Sequence, residues 1–172
     1  MPNKPKTASK PSASKVASQL EAAQVYCRAQ GSRLTAQRKE VLELLLRRGG
    51  SAKAYDLQDD MRVRHGRIAP STVYRALEFL MAQHLVHRVD ALNTFIVCNS
   101  DHQAHHPLLL VCSNCEAVTE LQDDAAYAAV RKKLRQADAG FVESDIEVKG
   151  ICGQCRTQQR RTGQETVATA RS

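Results

Sequence analysis

Apolar residues recur at helical spacing through the first half of the chain and alternate at strand spacing through much of the second. Ser18-Gln-Leu-Glu21 forms a capping box that predicts a first helix, ending at Gly31. Thr35 is placed to cap a second helix, with Val41, Leu42, Leu45 and Leu46 as its apolar stripe. Gly49-Gly50 stops it. Ser51 predicts the start of a third helix carrying Tyr55, Leu57 and Met61, closed near Gly66. Pro70 opens a fourth, Ser71–Gln83, with Val73, Leu77 and Leu80 facing inward. Leu85–Asp90 and Thr94–Cys98 then alternate as two strands about the turn Asp90–Asn93. Three helices leading to a hairpin is the order of a winged helix–turn–helix, which predicts DNA binding over residues 18–98.

A polar stretch, Asn99–His106, reads as a hinge. Leu108–Cys112 and Ala117–Leu121 read as strands. Asp123 starts a helix that runs to about Ala139, and Phe141–Ile151 alternates as a last strand. The fold class is therefore α+β, with a second, α/β domain over 107–156. Residues 1–17 and 157–172 read as disordered tails.

Cysteine changes the picture most. Cys112-x-x-Cys115 and Cys152-x-x-Cys155 are two knuckles that can converge on one tetrahedral four-thiolate zinc. A closed shell of four sulfurs leaves no open position, so this zinc is predicted to be structural. Disulfides are the rival reading. They weigh less because no secretory signal precedes the knuckles, and the same observation predicts a cytoplasmic location. No apolar stretch is long enough to span a membrane.

The chain of 172 residues carries a formal charge of +7, which favours a polyanionic partner, most simply nucleic acid. Ser71, Thr72, Tyr74 and Arg75 are exposed in the first turns of the fourth helix, the predicted reader of the major groove. Arg33, Thr35 and Arg38 gather at the start of the second helix, placed to grip the phosphate backbone. Arg62, Arg64 and Arg67 are expected in the loop before the reading helix.

A second set of metal-ligand residues surrounds the hinge: His84, His87, Cys98, His102, His105, His106 and Glu120. His87 and Cys98 should share one face of the hairpin. With His105 and Glu120 they offer two imidazoles, a thiolate and a carboxylate, a set that suits zinc better than iron or manganese. Each histidine alone can equally be a surface or hydrogen-bonded residue, and Cys98 a small buried hydrophobe.

Arg33–Arg38, Ser71–Leu77, His105-His106 and both knuckles together resemble the ferric-uptake-regulator (Fur) superfamily, from about Leu20 to Cys155. Ala54–Leu57, Val86–Val89 and the Cys98 position bring the chain closest to its zinc-uptake-regulator (Zur) branch. The resemblance implies a homodimer, with an N-terminal winged-helix domain and a C-terminal α/β dimerisation domain. It implies structural zinc on Cys112, Cys115, Cys152 and Cys155, and sensing zinc on His87, Cys98, His105 and Glu120. It implies that Tyr74 and Arg75 read palindromic, double-stranded operator DNA, mainly to repress zinc-uptake genes. Iron-type members carry His-His-Asp-His in the hinge, where this chain has His105-His106-Pro107-Leu108, and no histidine follows His106. A hinge about one residue shorter than in some Zur relatives leaves His106 and His102 as alternatives to His105.

The expectation is thus a zinc-responsive regulator with two zincs per chain, no catalysis and no small-molecule substrate. A zinc hydrolase is the first rival, but no His-Glu-x-x-His helix motif occurs. A zinc-stapled adaptor or metal-storage protein that ignores DNA is the second.

Overall fold

The first helix opens at Ser12 rather than at the Ser18 capping box. Ser12 Oγ accepts the Lys15 N–H at 3.3 Å, and α1 spans Ala13–Ala29 with Val16, Leu20, Ala23 and Cys27 buried. The earlier cap wins because Val16 extends the apolar stripe by a turn. The computed structural model describes residues 11–98, 107–121, 123–137 and 145–162, which fall into two compact units divided between residues 98 and 107.

In the first unit α1 ends where expected. The Ser32 N–H reaches back to the Cys27 carbonyl at 2.8 Å around Gly31, whose φ of +68° suits glycine. Helix α2 spans Ala36–Arg47; Thr35 holds the N-cap position, without a side-chain hydrogen bond.

Ser51 does not open a helix. Ser51–Ala52 is a short strand, β1, paired antiparallel with Ile96 and Phe95. The long-range pairing outcompetes the local serine cap. Helix α3 begins at Ala54 and runs to His65, its entry held by the Asp56 carboxylate, which accepts the Lys53 N–H at 3.3 Å. Arg62 and Arg64 therefore lie on α3, and only Arg67 lies in the following loop. Arg62 pairs with Asp59 at 3.2 Å and Arg64 with Glu40 at 3.2 Å.

Helix α4 spans Pro70–Ala82, with proline at its first position. Strands β2 (Val86–Val89) and β3 (Thr94–Val97) form the hairpin, and the sheet order is β1-β3-β2. Leu45, Leu57, Leu77 and Leu80 are at most 1 % exposed and tie α2, α3 and α4 into one core. Each such leucine contributes about 2 kcal/mol by burial.

The second unit is built on β4 (Leu108–Cys112), flanked by antiparallel β5 (Val118–Leu121) and parallel β6 (Ile146–Gly150). Helix α5 (Asp124–Gln136) lies between β5 and β6 in the chain, and Asp123 caps it by accepting the Ala126 N–H at 2.9 Å. A last helix, α6, spans Gly153–Thr162. The tail expected from residue 157 thus begins with ordered helix; residues 163–172 lie outside the described set. Leu109 and Val111 are buried, yet no described residue of α5 is, and Leu121, Val130, Val148 and Ile151 are exposed. So small a core needs a staple.

Candidate metal centre and nucleic-acid interface

The two knuckles meet. Cys112 ends β4 and Cys115 sits on the turn before β5, where the Cys112 carbonyl accepts the Glu116 N–H at 2.9 Å. Cys152 follows β6 and Cys155 lies in the first turn of α6. The parallel pairing of Cys112 with Gly150 brings the second knuckle beside the first, and the Ser113 N–H donates to the Gly150 carbonyl at 2.8 Å.

All four sulfurs lie within 4.8 Å of one another, and those of Cys115 and Cys152 are 3.7 Å apart. A tetrahedron with zinc–sulfur bonds of about 2.3 Å separates its sulfurs by about 3.8 Å. The four thiols are free, so disulfide pairing is not the state observed. The donor set fits zinc. Burial pushes the Cys112 thiol up, but N–H donors from Cys152, Cys115 and Asn114 outweigh it and lower the thiol to about 6. Burial pushes Cys115 up to about 12, and the other three sulfurs add to that rise. Such crowding of thiols is what a dication relieves.

His87 and Cys98 also come together, within the first unit. His87 pairs with Ile96 on the hairpin, and Cys98 follows β3 with its N–H donating to the Leu85 carbonyl at 3.0 Å. Both are buried, at 4 % and 3 % exposed, and a ring nitrogen and the sulfur lie within 4.8 Å. Glu120 belongs to the second unit, partly buried on β5 opposite Leu109. His105, with its alternatives His102 and His106, lies outside the described residues. His84 is in the left-handed conformation at the end of α4.

On α4, Ser71, Tyr74 and Arg75 are exposed and Thr72 is half-buried, while Val73, Ala76, Leu77 and Leu80 are in the core. Arg33 and Thr35 are exposed before α2. Arg38 is half-buried in the first turn of α2. Its guanidinium stacks on the Phe79 ring, 3.6 Å from the centroid, and Nη1 donates to the Arg33 carbonyl at 2.8 Å. Phe79 is not among the candidate site residues read from the sequence. Its place at i+4 from Arg75 put both on one face of α4, and that was the available signal.

The sequence profile of the Ferric uptake regulator family matches residues 29–149. The chain is 34 % identical over 137 residues to the "Zinc uptake regulation protein" of Escherichia coli (strain K12), covering 79 % of this chain and 80 % of that protein. It is 31 % identical over 132 residues to the protein of the same name from Mycobacterium tuberculosis (strain ATCC 25618 / H37Rv), covering 75 % and 98 %. Among solved structures, a zinc uptake regulator complexed with zinc and DNA superposes with a TM-score of 0.75 at 32 % identity, covering 84 % of this chain and 97 % of that one. The holo form of XcZur gives 0.72 at 34 % identity, covering 81 % and 98 %.

Proposed function

The chain belongs to the ferric uptake regulator family, and from that premise we propose that it works as a zinc-responsive, DNA-binding regulator of transcription and not as an enzyme. The convergence of four free cysteine sulfurs within 4.8 Å of one another is the observation that carries the zinc reading. Cys112, Cys115, Cys152 and Cys155 hold the structural ion, which supplies the second unit with the cohesion its small apolar core lacks. The exposed Leu121, Val130, Val148 and Ile151 of that unit support pairing of two copies as a homodimer. No helix among the described residues is long and apolar enough to cross a membrane, and the reduced thiols suit a cytoplasmic setting.

Sensing is assigned to a second zinc on His87, Cys98, His105 and Glu120. The buried, adjacent imidazole and thiol of the hairpin support it. A ligand shifts an equilibrium only between states it binds unequally. Zinc that is held only when its four ligands converge meets that condition. Tyr74, Arg75, Ser71 and Thr72 read a palindromic operator, and Arg33 and Thr35 engage its phosphates. Repression of zinc-uptake genes is the outcome.

The test is a titration of an operator duplex with the purified dimer at controlled free zinc. Binding that rises steeply with zinc and falls with salt supports the reading. Equal affinity with and without zinc refutes it and leaves a zinc-stapled adaptor.

A further inference from the structure

Arg38, at the α2 entry, turns its charge onto the helix assigned to reading. It stands in the first turn of α2, its guanidinium carbon Cζ over the Phe79 ring of α4, 3.6 Å from the centroid. Its Nη1 also donates to the Arg33 carbonyl at 2.8 Å. Three segments are tied by one side chain: the loop before α2, the start of α2 and the face of α4. Phe79 follows Arg75 by one helical turn, so the stack lies beneath the residue assigned to base reading.

Phosphate contacts set the register of a protein on DNA, and base contacts supply the specificity. Arg33 and Thr35 belong to the first class in the proposed reading, Tyr74 and Arg75 to the second. We propose that Arg38 is a positioning residue that fixes the spacing between these two groups through Phe79, and that it is not itself a phosphate contact. The inference rests on the assignment of α4 as the reading helix. A planar guanidinium on a ring face has one preferred separation, whereas a lysine ammonium or an aliphatic partner is looser. The hydrogen bond to Arg33 then transmits that separation to the backbone of the phosphate-gripping loop.

The experiment uses the full-length, zinc-loaded chain and two duplexes. One is selected from random-sequence DNA by the wild-type protein; the other is a scrambled duplex of equal composition. Phe79→Leu keeps the apolar bulk and removes the ring face. It should weaken the selected duplex about threefold to tenfold and leave the scrambled one unchanged. Phe79→Tyr should restore wild-type affinity. Arg38→Gln should resemble Phe79→Leu, and the double variant should bind no worse than either alone, because both remove one stack. The salt dependence should keep its slope throughout. The proposal is overturned if Phe79→Leu binds like wild type, or if Arg38→Gln weakens both duplexes equally and lowers the slope by about one. A wild-type chain that selects no zinc-dependent sequence would overturn the assignment of α4 itself, a result separate from any difference among variants.

Discussion

The backbone N–H of Cys152 points at the sulfur of Cys112, 3.3 Å away and 40 positions earlier in the chain. That donor, with those of Cys115 and Asn114, favours the Cys112 thiolate against the cost of burial and lowers the thiol from 9.0 to about 6. In the metal-free chain a lowered thiol stabilises the fold above pH 9, and that contribution fades as pH falls from 9 towards 6. Cys115 works in the opposite sense. Raised from 9.0 to about 12, its protonated form stabilises the fold below pH 9 and loses that effect as pH rises towards 12. Zinc must therefore find Cys112 largely ionised near neutral pH while expelling the Cys115 proton. The apparent zinc affinity of the four-sulfur site should increase with pH across the neutral range, with measurable proton release. Calorimetric titration in buffers of different ionisation enthalpy checks this, and proton-free binding would contradict it.

Removing the structural ion should unfold the second unit and spare the first. Structural zinc sites contribute about 10–16 kcal/mol, as much as the whole stability of about 5–15 kcal/mol that holds a typical domain. The first unit owes its stability to Leu45, Leu57, Leu77 and Leu80, none of which belongs to the zinc site. Cys155→Ser, or prolonged chelation, should abolish amide protection in β4 to β6 while the helices α2 to α4 keep theirs. Hydrogen exchange read by mass spectrometry separates the two; uniform loss of protection would show that the units do not melt independently.

Arg75 is exposed on the first turns of α4, beside Tyr74 at 52 % exposure. A bidentate contact from arginine to guanine supplies about 1–3 kcal/mol of base discrimination. Arg75→Ala should cost that amount on the preferred operator and much less on a scrambled duplex. Competition binding against operators with single base changes locates the position read. An unaltered base preference would remove Arg75 from that role.

The four-cysteine centre was legible because its signal is chemical. Two short spacings of one residue type bring four thiols to one place and restrict the metal they suit before any fold is known. Strand β4 was legible for a related reason, since Leu108–Cys112 carries its own apolar run up to the first ligand. What escaped depends on distant partners. Ser51 looks like a helix cap in isolation and becomes strand only because Phe95 and Ile96 pair with its segment. Helix α6 has almost no apolar stripe, so no periodicity marks it after the second knuckle. Arg38 read as one more cation, because nothing local reveals the Phe79 ring 41 positions later in the sequence that takes up its guanidinium. Local chemistry is written in the chain; contacts across the fold become visible only when the core assembles them.

Sensing and folding should separate at Cys98. His87 and Cys98 are buried side by side on the hairpin, while the structural sulfurs lie in the other unit. Cys98→Ser keeps the size of the side chain and replaces a soft thiolate with a poor zinc ligand. The variant should retain one tightly held zinc per chain, remain dimeric, and lose zinc-dependent operator binding by at least about tenfold, the size of a typical coupling between sites. By linkage, operator DNA should raise the zinc affinity of the wild-type chain by the same factor that zinc raises its operator affinity, and Cys98→Ser should show neither effect. Metal analysis, sedimentation and operator titration on one preparation check all three. A variant that still answers to zinc would exclude Cys98 from the switch and shift the assignment to other ligands; one that fails to dimerise would make Cys98 a structural residue.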